Sequence, residues 1–341
     1  MITAEDVRHH TPADVAYDWA ETRFFSVYLP EPNITAWVYN VARPGVGAFV
    51  CDVEAINTVS ANPLDAIYFD FRQHLPMPSQ LHDYELPNGY SLQALNPPRD
   101  YRIRYAGNDD TALDWLVTGL MDPYDISDPD MDPLATGNPE HSGFGQAYSN
   151  HFDMTVHITG ATKIHGQTFD TDCVSVMDHS WGPRDEHLMR PMGWINACFG
   201  PDYVVHTIWS RALDTDGWDG FGFAHGYALV DGRVRGLKSG RLRAVRGHGQ
   251  MPVSYEMEVV DVDDREHVLR GEPVTQHHWA CYSNSYVPFS QIRWTASGSS
   301  SQSGSSSQSG SSSPSGFGIA QENCPLDQLT GRSFRAAGMA S

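Results

Sequence analysis

Phe152-Asp153-Met154-Thr155-Val156-His157-Ile158 carries an apolar side chain at every second position. A period of two marks an extended strand with one face toward a core. The same alternation recurs in Tyr101, Ile103 and Tyr105 against Arg102 and Arg104, and again over 203–211, 221–230 and 255–260. Turn pairs punctuate it: Asp216-Gly217, Asp219-Gly220 and Asp231-Gly232. One helix is expected near residues 12–20, where an acidic, Ala-bearing stretch precedes Glu21. No G-x-G-x-x-G, no G-x-x-x-x-G-K-[ST] and no βαβ rhythm occurs, so the usual nucleotide folds are not first choices. Many short strands over 341 residues predict an all-β chain of two sheets or barrels rather than one sandwich.

Composition narrows the partners. Hydrophobic residues at 40% and aromatics at 11% are too many for a disordered chain. The formal charge of −20, with only Lys163 and Lys238 as lysines, repels a phosphate backbone or an anionic membrane. No apolar run approaches the ~20 residues of a spanning helix. Met1-Ile2-Thr3-Ala4-Glu5-Asp6 lacks the build of a signal peptide, so a soluble cytoplasmic protein is expected. Cys51, Cys173, Cys198, Cys281 and Cys324 show no C-x-x-C spacing and read as reduced, mostly buried thiols. No metal or cofactor is expected. His9-His10 and His277-His278 are adjacent pairs that point to opposite strand faces. The acidic runs 128–132 and 261–264 lack a calcium-loop pattern. Glu322 is read as a solvent-facing strand residue. Residues 297–316 repeat Ser, Gly and Gln and read as a flexible tether, across which Trp294 can pair with Phe317-Gly318-Ile319.

The densest polar and aromatic cluster is Met177-Asp178-His179-Ser180-Trp181-Gly182-Pro183-Arg184-Asp185. Alternation puts Cys173, Ser175, Met177, His179 and Trp181 on one face and Val174, Val176, Asp178 and Ser180 on the other, with Arg184 and Asp185 at a rim after the Gly-Pro turn. His179 and Trp181 then lie within ~7 Å of each other, a proton relay beside a π-face. A second strand, Phe221-Gly222-Phe223-Ala224-His225-Gly226-Tyr227-Ala228-Leu229, alternates large with small residues. Its large face either fills a core or lines a pocket.

Asp178-His179-Ser180-Trp181-Gly182 resembles the Asp-His-x-Trp-Gly signature of the carotenoid 1,2-hydratase (hydroxyneurosporene synthase)-like proteins, a group that includes kievitone hydratase. Trp19–Phe25 and Gly316–Glu322 are similar to the same group. The resemblance implies two lipocalin-like antiparallel β-barrels in tandem, divided as 1–186 and 187–341, no metal, and acid-catalysed addition of water to an isoprenoid-type double bond. The hydratases' Tyr-x-Asp acid, about 25 residues downstream, is absent here; the region reads Val204-Val205-His206-Thr207-Ile208-Trp209. The substitutes are Asp178 or Asp185 with a raised pKa, or His206 or His225.

Such chemistry needs an acid kept protonated in a dry pocket and aromatic faces around a cation. The expected catalytic set is Asp178, His179, Trp181, Asp185 and His206. Arg184, Trp209, Phe223, His225 and Tyr227 are the expected substrate contacts. The leading expectation is a lyase or isomerase that hydrates, dehydrates or isomerises a double bond of a hydrophobic, terpenoid or prenylated, molecule. A pericyclase that folds a polyene, and a carrier that binds an apolar ligand unchanged, are the alternatives. Pairing into a homodimer is left open.

Overall fold

The computed structural model describes residues 1–136, 141–297 and 313–330. Its first strands are β1 (Trp19–Leu29), β2 (Ile34–Arg43), β3 (Ala48–Ile56), β4 (Tyr68–Pro76), β5 (Asp83–Glu85) and β6 (Tyr90–Asn96). Next come β7 (Asp100–Ala106), β8 (Ala112–Gly119), β9 (Tyr124–Asp125), β10 (Asn150–Ile164) and β11 (Gln167–Pro183). These eleven form one sheet in the order β4-β3-β2-β1-β11-β10-β8-β7-β6-β5, with β9 added on β10. Contacts between distant strands show that the sheet curls on itself. Tyr68 of β4 bonds Tyr105 of β7 at 2.6 Å, and Asn40 of β2 donates to Tyr90 of β6 at 2.9 Å.

The remaining strands are β12 (Met192–Cys198), β13 (Tyr203–Arg211), β14 (Phe221–Val230), β15 (Arg233–Arg246) and β16 (Pro252–Asp261), then β17 (Glu266–Trp279), β18 (Ser285–Ala296) and β19 (Ser315–Pro325). They close into an eight-stranded antiparallel barrel. The architecture is therefore all-β, a curled sheet followed by a closed barrel. Trp294 pairs with Gly316 and Gln291 with Ile319, so β18 and β19 join as the sequence suggests. Most of the 297–316 tether lies outside the described residues. No helix among the described residues is long and apolar enough to cross a membrane.

Two apolar clusters hold the fold. One fills the barrel interior around Trp209, Tyr255, Met257 and Trp294. The other fills the concave side of the curled sheet and continues into the seam between its convex side and the barrel wall. In that seam the Phe24 ring meets Trp194, Trp279 and Phe289 at 5.6, 5.8 and 6.1 Å. β1 is thus buried on both faces, which explains its lack of strict alternation.

Three expectations are corrected. Residues 12–20 form turns that lead into β1, not a helix, because Trp19 onward pairs with β2 and β11 on both sides. Phe221, Phe223, His225, Tyr227 and Leu229 do not share a face. Ile208 pairs with His225 and Trp209 with Phe223, which leaves Ala224 as a bulge. The extra residue turns Phe221 and Phe223 into the barrel core and sends Tyr227 and Leu229 to the seam. Glu322 is wholly buried inside the barrel, where Arg211 and Arg246 pair with it at 3.0 and 2.8 Å.

Candidate active site

β11 presents the Asp-His-Ser-Trp-Gly run to two different environments. Asp178 and Ser180, with Arg184 beyond them, face the seam, and His179 and Trp181 face the concave interior. Gly182 holds the strand end at φ +143, and a Cβ there would meet the Ser149 backbone nitrogen at 2.1 Å. Ser149 N–H donates to Trp181 O at 2.7 Å, so only glycine admits this close approach.

On the seam side, Asp178, Arg184, His151, Tyr148, Trp194 and Trp279 are among the residues enclosing a chamber of about 60 Å³. Arg184 is fixed on every side. Its Nε donates to Ala147 O at 2.8 Å, one terminal nitrogen to Tyr282 Oη at 2.6 Å, and the other to Ser180 Oγ at 2.8 Å. The Tyr282 phenol in turn bonds Tyr39.

Beside this clamp runs a chain of alternating acids and imidazoles. Asp178 lies 3.9 Å from His151 Nδ1. His151 Nε2 and His206 Nε2 sit 2.9 and 3.0 Å from Asp153 Oδ2, ion-pair contacts without hydrogen-bond alignment. Trp194 Nε1 donates to Asp153 Oδ1 at 2.8 Å. Burial would raise the Asp153 pKa, but His151 and His206 hold it well below the carboxylate range. Burial opposes a charge on His151, yet Asp153 and Asp178 outweigh it and raise its pKa. Burial pushes the Asp178 carboxyl up to about 7, against the pull of His151 and Arg184 and with the help of ionised Asp153. Asp178 Oδ1 is sealed from solvent and has no hydrogen-bond partner. A half-buried carboxyl that is half-protonated near neutrality and unpaired on its one sealed oxygen is equipped to give up a proton.

The concave face is arranged differently. His179 Nδ1 donates to Thr22 O at 2.7 Å, and burial and Arg23 drive its pKa far down, so the ring is neutral. Trp181 stacks on His10 at 3.7 Å with 4° between the planes. The two rings do share a face, but they back onto the N-terminal segment rather than bordering the seam chamber. Donor atoms of His10, Glu21 and His179 lie within 4.8 Å of one another, a spacing that could suit a metal ion. The Glu21 carboxylate is already engaged by His10 N–H at 2.9 Å, Thr11 Oγ1 at 3.0 Å and Trp19 Nε1 at 3.3 Å. These bonds account for the group as a closure of the sheet's mouth.

The other sequence candidates scatter. Asp185 opens a turn and accepts His187 N–H at 2.9 Å, away from the chamber lining. Trp209 and Phe223 meet edge to face at 5.0 Å inside the barrel, on the far side of its wall. His225 is held between Asp132 at 3.1 Å and Ser142 at 3.2 Å. Tyr227 reaches the seam, where its hydroxyl bonds Thr155 at 2.9 Å and its ring lies 5.4 Å from His206. Of the expected set, Asp178, Arg184 and His206 meet around the chamber and its charge network, with Tyr227 packed against His206. His151, Asp153, Trp194 and Tyr282 were missed. The one sequence signal for the first two was a polar pair, at 151 and 153, on the face of β10 opposite Phe152 and Met154.

A second seam acid cluster joins Asp52, Glu54 and His277. Trp279 Nε1 donates to Asp52 at 2.5 Å, His277 lies 3.3 Å from Glu54, and burial lifts Glu54 to about 8.

Comparison with known proteins bears on the fold. A protein provisionally named AttH, from Nitrosomonas europaea, superposes with a TM-score of 0.55 at 13% identity, over 90% of this chain and 92% of its own. CghA bound to Sch210972 is similar at a TM-score of 0.49 and 10% identity, over 92% and 89% of the two chains. The first of these shows the tandem-barrel fold. No curated protein matches the chain in sequence. The family model described as a domain of unknown function, DUF7064, matches residues 3–307, and the chain belongs to that family.

Proposed function

We propose that this protein is a cofactor-independent enzyme that protonates a carbon–carbon double bond, with Asp178 as the acid, and so hydrates, dehydrates or isomerises a hydrophobic substrate. The observation that carries the reading is a half-buried carboxyl with one sealed, unpaired oxygen at a seam chamber walled by Trp194, Trp279 and Tyr148. In hydration, the Asp178 O–H bond breaks and a C–H bond forms, leaving a carboxylate and a tertiary carbocation. The indole and phenol faces stabilise that cation. Water adds to it, and the proton the water sheds returns to Asp178. His151, paired with Asp153, stands 3.9 Å from the Asp178 carboxyl, next in line to it. Dehydration is the same path reversed, and proton loss without water gives the isomer.

The chamber's size constrains the substrate. At about 60 Å³ it is smaller than the ~150 Å³ cavity that takes benzene, so it seats a small branched terminus and not a ring system. That suits the end of a prenyl chain. The Asp-His-x-Trp-Gly resemblance supports the same chemistry, with His179 and Trp181 acting from behind the strand as positioning residues for Asp178. We read residues 1–186 and 187–341 as the two domains whose seam forms the site.

The test is a panel of prenyl alcohols and alkenes incubated in ¹⁸O-labelled water. A hydratase puts the label into product and loses at least ~100-fold in rate as Asp178→Asn. An Asp178→Asn variant that keeps most of its rate points to a pericyclase and overturns the acid. Quenching of tryptophan fluorescence with every compound returned unchanged identifies a carrier.

A further inference from the structure

The seam holds a second cavity, larger and chemically unlike the first. It measures about 480 Å³, within the ~300–1,000 Å³ of sites that enclose a drug-sized ligand. β1, β11, β12, β18 and β19 wall it, and it shares no lining residue with the Asp178 chamber. Val27, Val174, Phe317 and Ile319 make much of the wall apolar. Its charged groups, His157 and Asp172, are exposed and paired with each other at 2.6 Å.

Two buried amides interrupt the apolar wall. Gln291 is 3% exposed and forms no side-chain hydrogen bond among the described residues. Asn196 accepts Ile319 N–H at 3.0 Å through Oδ1, which leaves its Nδ2 without a partner. A sealed, unpaired donor such as Asn196 Nδ2 costs stability unless a polar group meets it. Since Gln291 and Ile319 are paired across β18 and β19, both amides flank Ile319.

We propose that this cavity binds a neutral lipophilic molecule whose single carbonyl or hydroxyl oxygen is received by Gln291. A neutral ligand follows from the lining, which offers no buried cation to a carboxylate and sets Asp172 at the rim. The site does not depend on the proton chemistry of Asp178.

Cys173 supplies the readout, since it lines the cavity and is half-buried while the other four cysteines are buried. Nile red is titrated into the full chain by fluorescence and then displaced with a fifteen-carbon prenyl alcohol or the matching carboxylic acid. N-ethylmaleimide labelling of Cys173 is followed in parallel. The expected result is one Nile red per chain, displacement by the alcohol in preference to the acid, and slowed labelling of Cys173 by either bound compound. Gln291→Leu should weaken the alcohol about tenfold, one neutral hydrogen bond. Cys173→Trp should abolish Nile red binding. Should that variant fail to fold, protection of Cys173 in the unaltered chain still decides. Binding without protection of Cys173, or no binding, overturns the site. Asp178→Asn should bind Nile red like the unaltered chain, so failure of the proposed reaction and failure of this site are separable.

Discussion

Asp178→Asn should make the protein more stable as pH rises. The Asp178 carboxyl is held at about 7, whereas in the unfolded chain it ionises near its ordinary value of 3.8. Its contribution to stability is therefore fully present below about pH 4 and is lost as pH climbs through about 7. Over that range the unfolded chain releases a proton that the native chain retains, at about 1.4 kcal/mol per pH unit. Between pH 5 and pH 8 the loss amounts to about 2.5 kcal/mol. Asparagine keeps the shape and releases no proton, so the variant escapes this loss. The assay is urea unfolding of both proteins at half-unit steps from pH 5 to 8. Stability of the variant minus that of the parent should rise by about 2.5 kcal/mol toward alkaline pH. A difference that stays flat with pH would mean that Asp178 titrates like a solvent-exposed carboxyl, and the acid would be lost from the account.

Three further substitutions probe the frame around it. Asp153→Asn leaves His151 and His206 without their shared counter-charge in a buried site, and should cost about 3–5 kcal/mol by urea midpoint, with a shift in Trp194 fluorescence. Arg184→Lys cannot span Ala147, Tyr282 and Ser180 at once, and should lower stability by about 3 kcal/mol in the same assay. Gly182→Ala drives a Cβ into the Ser149 nitrogen at a positive φ, so more than about 3 kcal/mol of lost stability, or a chain recovered insoluble, is expected on thermal denaturation. Unchanged stability in any of them would remove that contact from the frame.

The fold was largely legible because alternation is a local property. The strands read at 203–211 and 221–230 coincide with β13 and β14, and Phe152–Ile158 lies inside β10. The site was legible only in part, since alternation tells which residues share a face but not what covers it. Asp178 and His179 were placed on opposite faces of β11. Which of them looked into the chamber depended on the barrel docking against the convex side. Asp153 only alternates with Phe152 and Met154 in the sequence, and the same docking buries it completely. Ala224 broke the pattern from within, since a bulge leaves no mark in the hydrophobic period. The helix expected near 12–20 failed for a related reason. Pairing of β1 with both neighbours outweighs a weak local preference.

The most direct measurement is a carbon-13 NMR titration of the Asp178 carboxyl in protein labelled at aspartate, assigned by the loss of its signal in Asp178→Asn. The account predicts a midpoint at about 7. A midpoint in the ordinary carboxylate range would contradict it.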